Sequence, residues 1–161
     1  MHDLISRASL QPHLRGRNKQ QVLEELVDCL VAGQPEIDTH GLLAALWQRE
    51  RLSSTAIGDG VAIPHARVAG LSRMVLAIGR HVEGVDFESL DGTPTRLFFV
   101  LIAPADAPGS HLKALAQVSR TARDAGFRQA ILAAEDDERL RQCLVELTRP
   151  CILHDGHLQV A

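Results

Sequence analysis

The stretch Thr95–Ala103, which reads TRLFFVLIA, decides the fold class of this chain. It is a continuous apolar run without alternating polar residues, which is typical of a central strand buried on both faces of a sheet. The segment Arg73–Arg80, RMVLAIGR, predicts a second strand with polar ends. Because the turn signal Asp91-Gly92 lies between the two, a hairpin-like connection and a mixed sheet are favoured over a purely parallel one.

Helical patterns flank these strands. A capping box at Asn18 and Gln21 predicts a helix that ends at Gly33, and apolar residues recur at helical spacing in later segments. Further predicted helices cover about 39–51, 111–124 (with Ser110 as its N-cap), 128–134 and 137–147. The pattern predicts a single α/β domain over residues 1–161, in which a small mixed β-sheet is flanked by helices on both faces. We expect its core at about residues 5–148, followed by a C-terminal tail, 149–161.

Composition and charge exclude several function classes. The 161 residues carry a formal net charge of -3, only 3% are aromatic and the basic residues are scattered, so nothing indicates nucleic-acid binding. The longest apolar run, Leu97–Ala103, is far shorter than the about 20 residues that cross a bilayer as a helix. The N-terminus lacks an apolar signal region, and the three cysteines form no C-x-x-C pair. We therefore expect a cytoplasmic protein without membrane insertion or a disulfide framework.

The most unusual segment of the chain ends at His65. Helical periodicity stops between residues 53 and 65, where SSTAIGDGVAIPH predicts a loop with a short extended piece at 61–63. Gly58 and Gly60 permit close backbone approach, and Pro64 stiffens the chain just before the histidine. His65 is therefore a candidate for chemistry, the alternative being a loop histidine bonded to solvent or backbone.

A second histidine, His111, follows Ser110 at the predicted start of a helix and comes just after the buried strand. Open α/β sheets place ligands where a strand leads into a helix N-terminus, and the free N–H groups there favour an anion. The alternative is an ordinary residue of the first helical turn. The known signatures of nucleotide, ester and zinc-dependent hydrolysis do not occur in the chain.

Two segments resemble a known family. Residues 49–65, RERLSSTAIGDGVAIPH, resemble the active-site signature of the IIA components of the phosphoenolpyruvate-dependent phosphotransferase system, fructose/mannitol type, which includes the nitrogen-regulatory IIA protein. Residues 101–106, LIAPAD, together with Ser110-His111-Leu112, resemble a second block of that family. The resemblance covers roughly residues 5–148. One departure is Ala66, which stands where such proteins commonly have glycine after the histidine.

The resemblance implies a phosphoryl carrier and assigns roles to residues. His65 matches the phosphorylated histidine, His111 the second active-site histidine, and Arg49 an arginine whose planar charged fork suits phosphoryl oxygens. Thr55 and Ser110 match positions beside the phosphoryl pocket. The implied donor is an HPr-type phosphocarrier protein, and a regulatory target protein or a IIB component would lie downstream. No metal or cofactor is implied.

Several alternatives stay open. Within the resemblance, nitrogen-related regulation is favoured over a sugar-specific component that feeds a permease, because no membrane domain is fused to the chain. A docking module that transfers no phosphoryl group would be expected to have lost at least one of the site residues. A metal hydrolase would need further ligands, and the sequence offers no well-placed carboxylate pair to supply them. His154 and His157 favour a turn in the tail over a metal site. The remaining histidines, His2, His13, His40 and His81, are expected at the surface, and the oligomeric state is left open.

Overall fold

A computed structural model describes residues 2–34, 37–148, 152–154 and 157–159 of the chain. The helices are α1 (His2–Ser6), α2 (Lys19–Ala32), α3 (Thr39–Leu52), α4 (Pro108–Arg123), α5 (Ala125–Ala133) and α6 (Asp137–Thr148). The strands are β1 (Ser9–Gln11), β2 (Ala56–Gly58), β3 (Val61–Ala62), β4 (His65–Val68), β5 (Val75–Val85), β6 (Thr95–Pro104), β7 (Ile152–His154) and β8 (His157–Gln159).

Strand β6 is the centre of a mixed six-stranded sheet with the order β1-β5-β6-β3-β2. β5 pairs with one edge of β6 in antiparallel register, with Ile78 opposite Phe99, as the hairpin signal predicts. The other edge pairs first with β3 and then with β4, both parallel to β6. Among the described strands β4 pairs with β6 alone, so its second side is an open edge of the sheet.

Two hydrophobic layers enclose β6, which confirms the prediction of helices on both faces. Phe98, Val100 and Ile102 pack with the apolar sides of α2 and α3, whereas Leu97, Phe99 and Leu101 pack with α1, α4, α5 and α6. Every one of these six side chains is at most 1% exposed. Burial of alternate residues on opposite faces explains why the stretch shows no polar positions.

The N-terminal helix signals are confirmed, whereas one predicted cap is wrong. Asn18 caps α2 by accepting a hydrogen bond from the backbone N–H of Gln21. Ser110, the predicted N-cap of the third helix, lies inside α4, which begins at Pro108. Its hydroxyl donates to the carbonyl of Ala107, at 2.9 Å, and caps nothing. Proline is favoured at the first helical position because it has no N–H to leave unpaired.

The segment between residues 53 and 65 contains more extended structure than predicted. β2 and β3 form a tight antiparallel turn at Gly58, Asp59 and Gly60, all three with φ between 55° and 90°. A side chain at Gly60 would meet the carbonyl of Pro94 at 3.3 Å, which explains the second glycine. His65 begins a strand instead of ending a loop, because the chain continues along β6 after Pro64.

Two further expectations concern the hairpin and the tail. His81 was expected at the surface, but it is only 9% exposed, and its Nδ1 accepts from the N–H of Gly84. The predicted tail lies partly outside the described residues. Within it β7 and β8 pair in antiparallel register, with His154 opposite His157. None of the helices that the structure describes is long and apolar enough to cross a membrane.

Candidate functional site

A cavity of about 700 Å³ opens at the edge of the sheet, where β4 lies between α3 and α4. Its lining comes from the last turns of α3, from β4 and from the first turn of α4. His65, Arg49 and His111 all line it. The structure therefore brings together the three main site residues predicted from the sequence, although they lie on three different elements.

Strand β4 sets the direction of His65. Side chains alternate along a strand, so that Ala66 packs into the core beneath α2 and α3 while His65 points to the other side. The ring of His65 lies 5.6 Å from the ring of His111, measured between centroids, with the planes inclined by 45°. Ala66 is buried in this layer, with only 7% of the residue exposed.

The hydrogen bonds of His65 define its tautomer. Nδ1 lies 2.8 Å from the carbonyl oxygen of Ile63, and a carbonyl can only accept, so Nδ1 carries a proton. Nε2 accepts from the Nε–H of Arg49 at 3.0 Å and must therefore present its lone pair. The ring is neutral, and the atom that faces Arg49 is its nucleophilic nitrogen.

Arg49 is held at the C-terminal end of α3. One of its terminal nitrogens, Nη1, donates to the carbonyl of Ser53 at 2.9 Å, which fixes the guanidinium while Nε bonds His65. A cation near a helix C-terminus is also favoured by the helix dipole. Arg51 lies in the same turn as Arg49 but is exposed and is absent from the cavity lining.

A buried carboxylate next to Arg49 was not found by sequence reasoning. Both oxygens of Glu50 accept from the N–H of Thr55 at 3.1 Å, and one accepts from its hydroxyl at 2.5 Å. Lys19 of α2 pairs with Glu50 at 2.9 Å and also with the exposed Glu88 at 2.9 Å. The side chain of Glu50 is 2% exposed, so this pair is shielded from solvent.

The other two predicted pocket residues do not line the cavity. Thr55 is buried behind it, bonded to Glu50, and is not among the lining residues. Ser110 is exposed on α4 and does not line the cavity either. Arg67, which sequence reasoning missed, does line it. The available signal was spacing, because residues two apart on a strand share a face.

Burial and charge lower the pKa of both histidines. Desolvation is the main cause for His65. The charge of Arg49 and any positive charge on His111 act in the same direction, while the Ile63 carbonyl and the Glu50 carboxylate oppose them. His111 is likewise lowered, by desolvation first and then by the charge of Arg67. Both rings are therefore neutral at pH 7. The Nδ1 atom of His111 is buried and has no hydrogen-bond partner among the described residues.

This arrangement suits an anion that reacts with a nitrogen nucleophile. Two arginines and two neutral imidazoles line the cavity, and none of the described Asp or Glu residues does. The described residues contain no group of His, Cys, Asp and Glu that could hold a metal ion. Leu52 and Leu112, 80% and 64% exposed, stand on opposite sides of the opening and make its rim apolar.

Comparison with known proteins gives a consistent result. The model of the family "Phosphoenolpyruvate-dependent sugar phosphotransferase system, EIIA 2" matches residues 3–146. A nitrogen regulatory protein of Bradyrhizobium diazoefficiens is 37% identical over 144 residues, which cover 88% of this chain and 92% of that protein. The fructose-specific EIIABC component of Bacillus subtilis is 34% identical over 138 residues, 86% of this chain but only 22% of its own length.

A solved structure supports the same assignment. The crystal structure of nitrogen regulatory protein IIA-Ntr from Neisseria meningitidis superimposes with a TM-score of 0.78 at 29% identity. The match covers 89% of this chain and 97% of that one. The overall fold is thus shared over almost the whole length of that protein.

Proposed function

The chain belongs to the EIIA 2 family of the phosphoenolpyruvate-dependent sugar phosphotransferase system, and from this premise we propose that it carries a phosphoryl group on Nε2 of His65. The observation that supports this atom is the hydrogen bond from Nδ1 to the carbonyl of Ile63. It leaves the proton on Nδ1 and the lone pair on Nε2, inside a cavity that carries positive charge. Nδ1 is engaged in its hydrogen bond to the Ile63 carbonyl and has no lone pair to offer to a phosphoryl group.

The proposed step is an in-line transfer between two imidazoles. The lone pair of Nε2 forms a bond to phosphorus, and the bond from phosphorus to the donor's histidine nitrogen breaks with its electrons staying on that nitrogen. Both rings keep the proton on their other nitrogen, so the donor becomes neutral while His65 becomes a phosphorylated cation. The Ile63 carbonyl stabilises this new charge through the Nδ1 proton.

Arg49 and the α4 side stabilise the transferred group. In the resting site the Nε–H of Arg49 occupies the lone pair that must attack, so the guanidinium has to turn its N–H groups to the arriving oxygens. His111 of α4 and Arg67 of β4, whose charge acts on His111, also line the cavity and can bind the remaining oxygens. Positioning and charge supply most of the rate effect in phosphoryl transfer, which requires no cofactor on this chain.

The partner that fits the opening is an HPr-type phosphocarrier with its own histidine on an apolar surface. Leu52 and Leu112 flank the cavity and are largely exposed, so a partner could cover them while the two histidines meet. A carrier must release its partners, which favours a small interface. Because phosphoenolpyruvate is formed inside the cell, we place the protein in the cytoplasm.

The test is phosphoryl transfer from phosphoenolpyruvate through the general phosphotransferase proteins, followed by intact mass. Wild type should gain an acid-labile phosphoryl adduct, and His65→Ala should gain none. His40→Ala is the matched control, because His40 is exposed on α3 away from the cavity. An adduct that persists in His65→Ala would move the site to another residue, and no adduct on wild type with a competent donor would leave the docking module as the better account.

Downstream of His65 we propose nitrogen-related regulation. The support is the nitrogen regulatory relative, which this chain matches over 92% of its length. Incubating the phosphorylated protein with a purified fructose-type IIB component tests this choice. Retention of the phosphoryl group on this chain supports the regulator, and rapid transfer to the IIB component would favour the sugar-specific alternative.

A further inference from the structure

We infer that Glu50 is a positioning residue for the phosphoryl acceptor, acting through Thr55 and Ile63 to select which nitrogen of His65 attacks. This inference rests on the proposed function of His65. It concerns a carboxylate that does not line the cavity and to which the sequence analysis assigned no role. Its basis is a continuous series of hydrogen bonds that runs from α2 through α3 and the following loop to the imidazole.

The first link joins Glu50 to the loop after α3. Glu50 accepts the N–H of Thr55 with both carboxylate oxygens, at 3.1 Å each, and its hydroxyl at 2.5 Å. A carboxylate that accepts from the backbone and the side chain of one residue fixes that residue in position and in rotation. Thr55 is 4% exposed, so water does not compete for these bonds.

The second link joins Thr55 to the imidazole. The carbonyl of Thr55 accepts from the N–H of Ile63 at 3.0 Å, and the carbonyl of Ile63 accepts from Nδ1 of His65 at 2.8 Å. The orientation of Ile63 therefore decides whether Nδ1 can keep its proton. If Thr55 shifts, this carbonyl turns away and the two tautomers of His65 become closer in energy.

A second arm leads to Arg49. Its Nη1 donates to the carbonyl of Ser53, two residues before Thr55 in the same loop. Glu50 thus fixes one loop that controls both partners of His65: the acceptor of its Nδ1 proton and the anchor of its arginine. Both partners depend on backbone carbonyls, so substituting Ile63 or Ser53 would not remove them.

Lys19 makes the buried carboxylate possible. Its ammonium lies 2.9 Å from Glu50 and 4.8 Å from the ring centroid of Phe87, and it is 10% exposed at the side chain. A purely structural ion pair would need only Lys19 and Glu50. The additional hydrogen bonds from Thr55 to Glu50 connect this pair to the backbone that positions His65. The measurements below distinguish a positioning role of Glu50 from a purely structural one.

The experiment compares four variants of the full-length chain. Thr55→Val removes the hydroxyl donor with almost the same shape, and Thr55→Ser restores it. Glu50→Gln removes the charge, and Glu88→Gln is the matched control because Glu88 shares Lys19 but is exposed. Nitrogen-15 NMR of the histidine ring reads the tautomer, phosphorus-31 NMR reads which nitrogen carries the phosphoryl group, and the acceptance rate is measured in parallel.

The expected result is a loss of selection in two variants only. Thr55→Val and Glu50→Gln should show a mixture of His65 tautomers, a mixture of phosphohistidine isomers and acceptance slowed by about tenfold or more. Thr55→Ser and Glu88→Gln should match wild type in all three readouts. If Glu50→Gln folds poorly, the isosteric pair Thr55→Val and Thr55→Ser carries the comparison.

The opposing result is equally clear. A folded Thr55→Val protein with a single Nδ1–H tautomer, a single isomer and the wild-type rate would overturn the inference, and Glu50 would then be a structural ion pair. This failure differs from failure of the proposed function. If wild type accepts no phosphoryl group, the carrier role is lost, while the tautomer readout in the unphosphorylated proteins still decides the role of Glu50.

Discussion

The α3 side of the cavity and its α4 side are built on opposite principles. On the α3 side Arg49, Glu50 and Thr55 all have polar partners, and together they hold His65 in one tautomer. On the α4 side the buried Nδ1 of His111 has no partner among the described residues, and Arg67 is exposed. The α3 side is therefore ordered before any ligand binds, whereas the α4 side keeps polar groups that are available to bind a ligand.

This difference separates positioning from binding. A buried polar group without a partner costs about 1–3 kcal/mol, so a stable protein keeps few of them. On the α3 side each of these polar groups has a partner within the protein, so this cost does not arise and the nucleophile is held rigidly. On the α4 side the unpaired nitrogen of His111 leaves its tautomer unspecified, so the ring is free to adopt the tautomer that a bound anion favours.

The largest effect is expected on the α3 side, at Arg49. Arg49→Lys keeps the charge but removes the planar fork that bonds His65 and Ser53 together. We expect phosphoryl acceptance to fall by about 100-fold, the scale seen when one charge-stabilising donor is lost. Rapid-quench measurement of the adduct checks this. Arg51→Lys, in the same turn and exposed, should leave the rate unchanged, and an equal loss there would assign the effect to helix charge.

A smaller loss is expected on the α4 side, at His111, without a loss of stability. His111→Phe removes a hydrogen-bond donor to the charged phosphoryl group and should slow acceptance by about tenfold. The free energy of unfolding should stay equal or rise, because a buried nitrogen without a partner is replaced by carbon. Urea denaturation measures this. Marked destabilisation would show that His111 belongs to the fixed part of the site after all.

The pH dependence should be weak near neutrality. Burial lowers the pKa of His65 below its ordinary 6.5, so the ring is still neutral in more than half of the molecules at pH 6.5. The rate of acceptance should therefore fall by less than about twofold at that pH. The steep loss comes at lower pH. The groups that act on His65 are the Ile63 carbonyl and the side chains of Arg49, His111 and Glu50, and the Ile63 carbonyl and Glu50 favour the charged ring. A midpoint above pH 6.5 in the rate profile would show that these two groups together outweigh burial.

The same direction of shift predicts how stability changes. Because the pKa values of His65 and His111 are lower in the folded chain, the unfolded chain binds more protons at mildly acidic pH. Stability from these rings is therefore complete above pH 6.5 and declines as the pH falls through 6.5. Chemical denaturation of wild type and His65→Gln measures it, and the variant should show the shallower decline.

Much of the fold, and His65 as the candidate reactive residue, could be predicted from local sequence. The apolar run of β6 identifies the buried strand, Asn18 identifies the start of α2, and the glycines and proline before His65 mark an unusual backbone. These signals are carried by neighbouring residues. The wrong cap at Ser110 shows the limit, since the proline two residues earlier is the better signal for the start of α4.

The rest depends on contacts between distant residues. Lys19 and Glu50 are 31 residues apart, and nothing in the patterns around either of them predicts that they meet in the core. Charged residues on helices are mostly exposed, so the general rule favours a solvated position for a glutamate such as Glu50. The tautomer of His65 is equally hidden, because it is set by the carbonyl of Ile63, which has no sequence signature.

Arg67 gives the smallest effect and the sharpest test of the contrast between the two sides. It is exposed on β4, lines the cavity, and its charge lowers the pKa of His111. Arg67→Gln should therefore raise the pKa of His111 and leave the tautomer of His65 unchanged, while slowing acceptance by only a few-fold, as for an exposed charge in water. NMR titration of the ring protons measures both histidines in one experiment. If Arg67→Gln changes the His65 tautomer, the two sides are coupled and the separation between positioning and binding fails. If only His111 responds, the exposed arginine acts on the binding side alone, and increasing salt should reproduce its removal in the wild type.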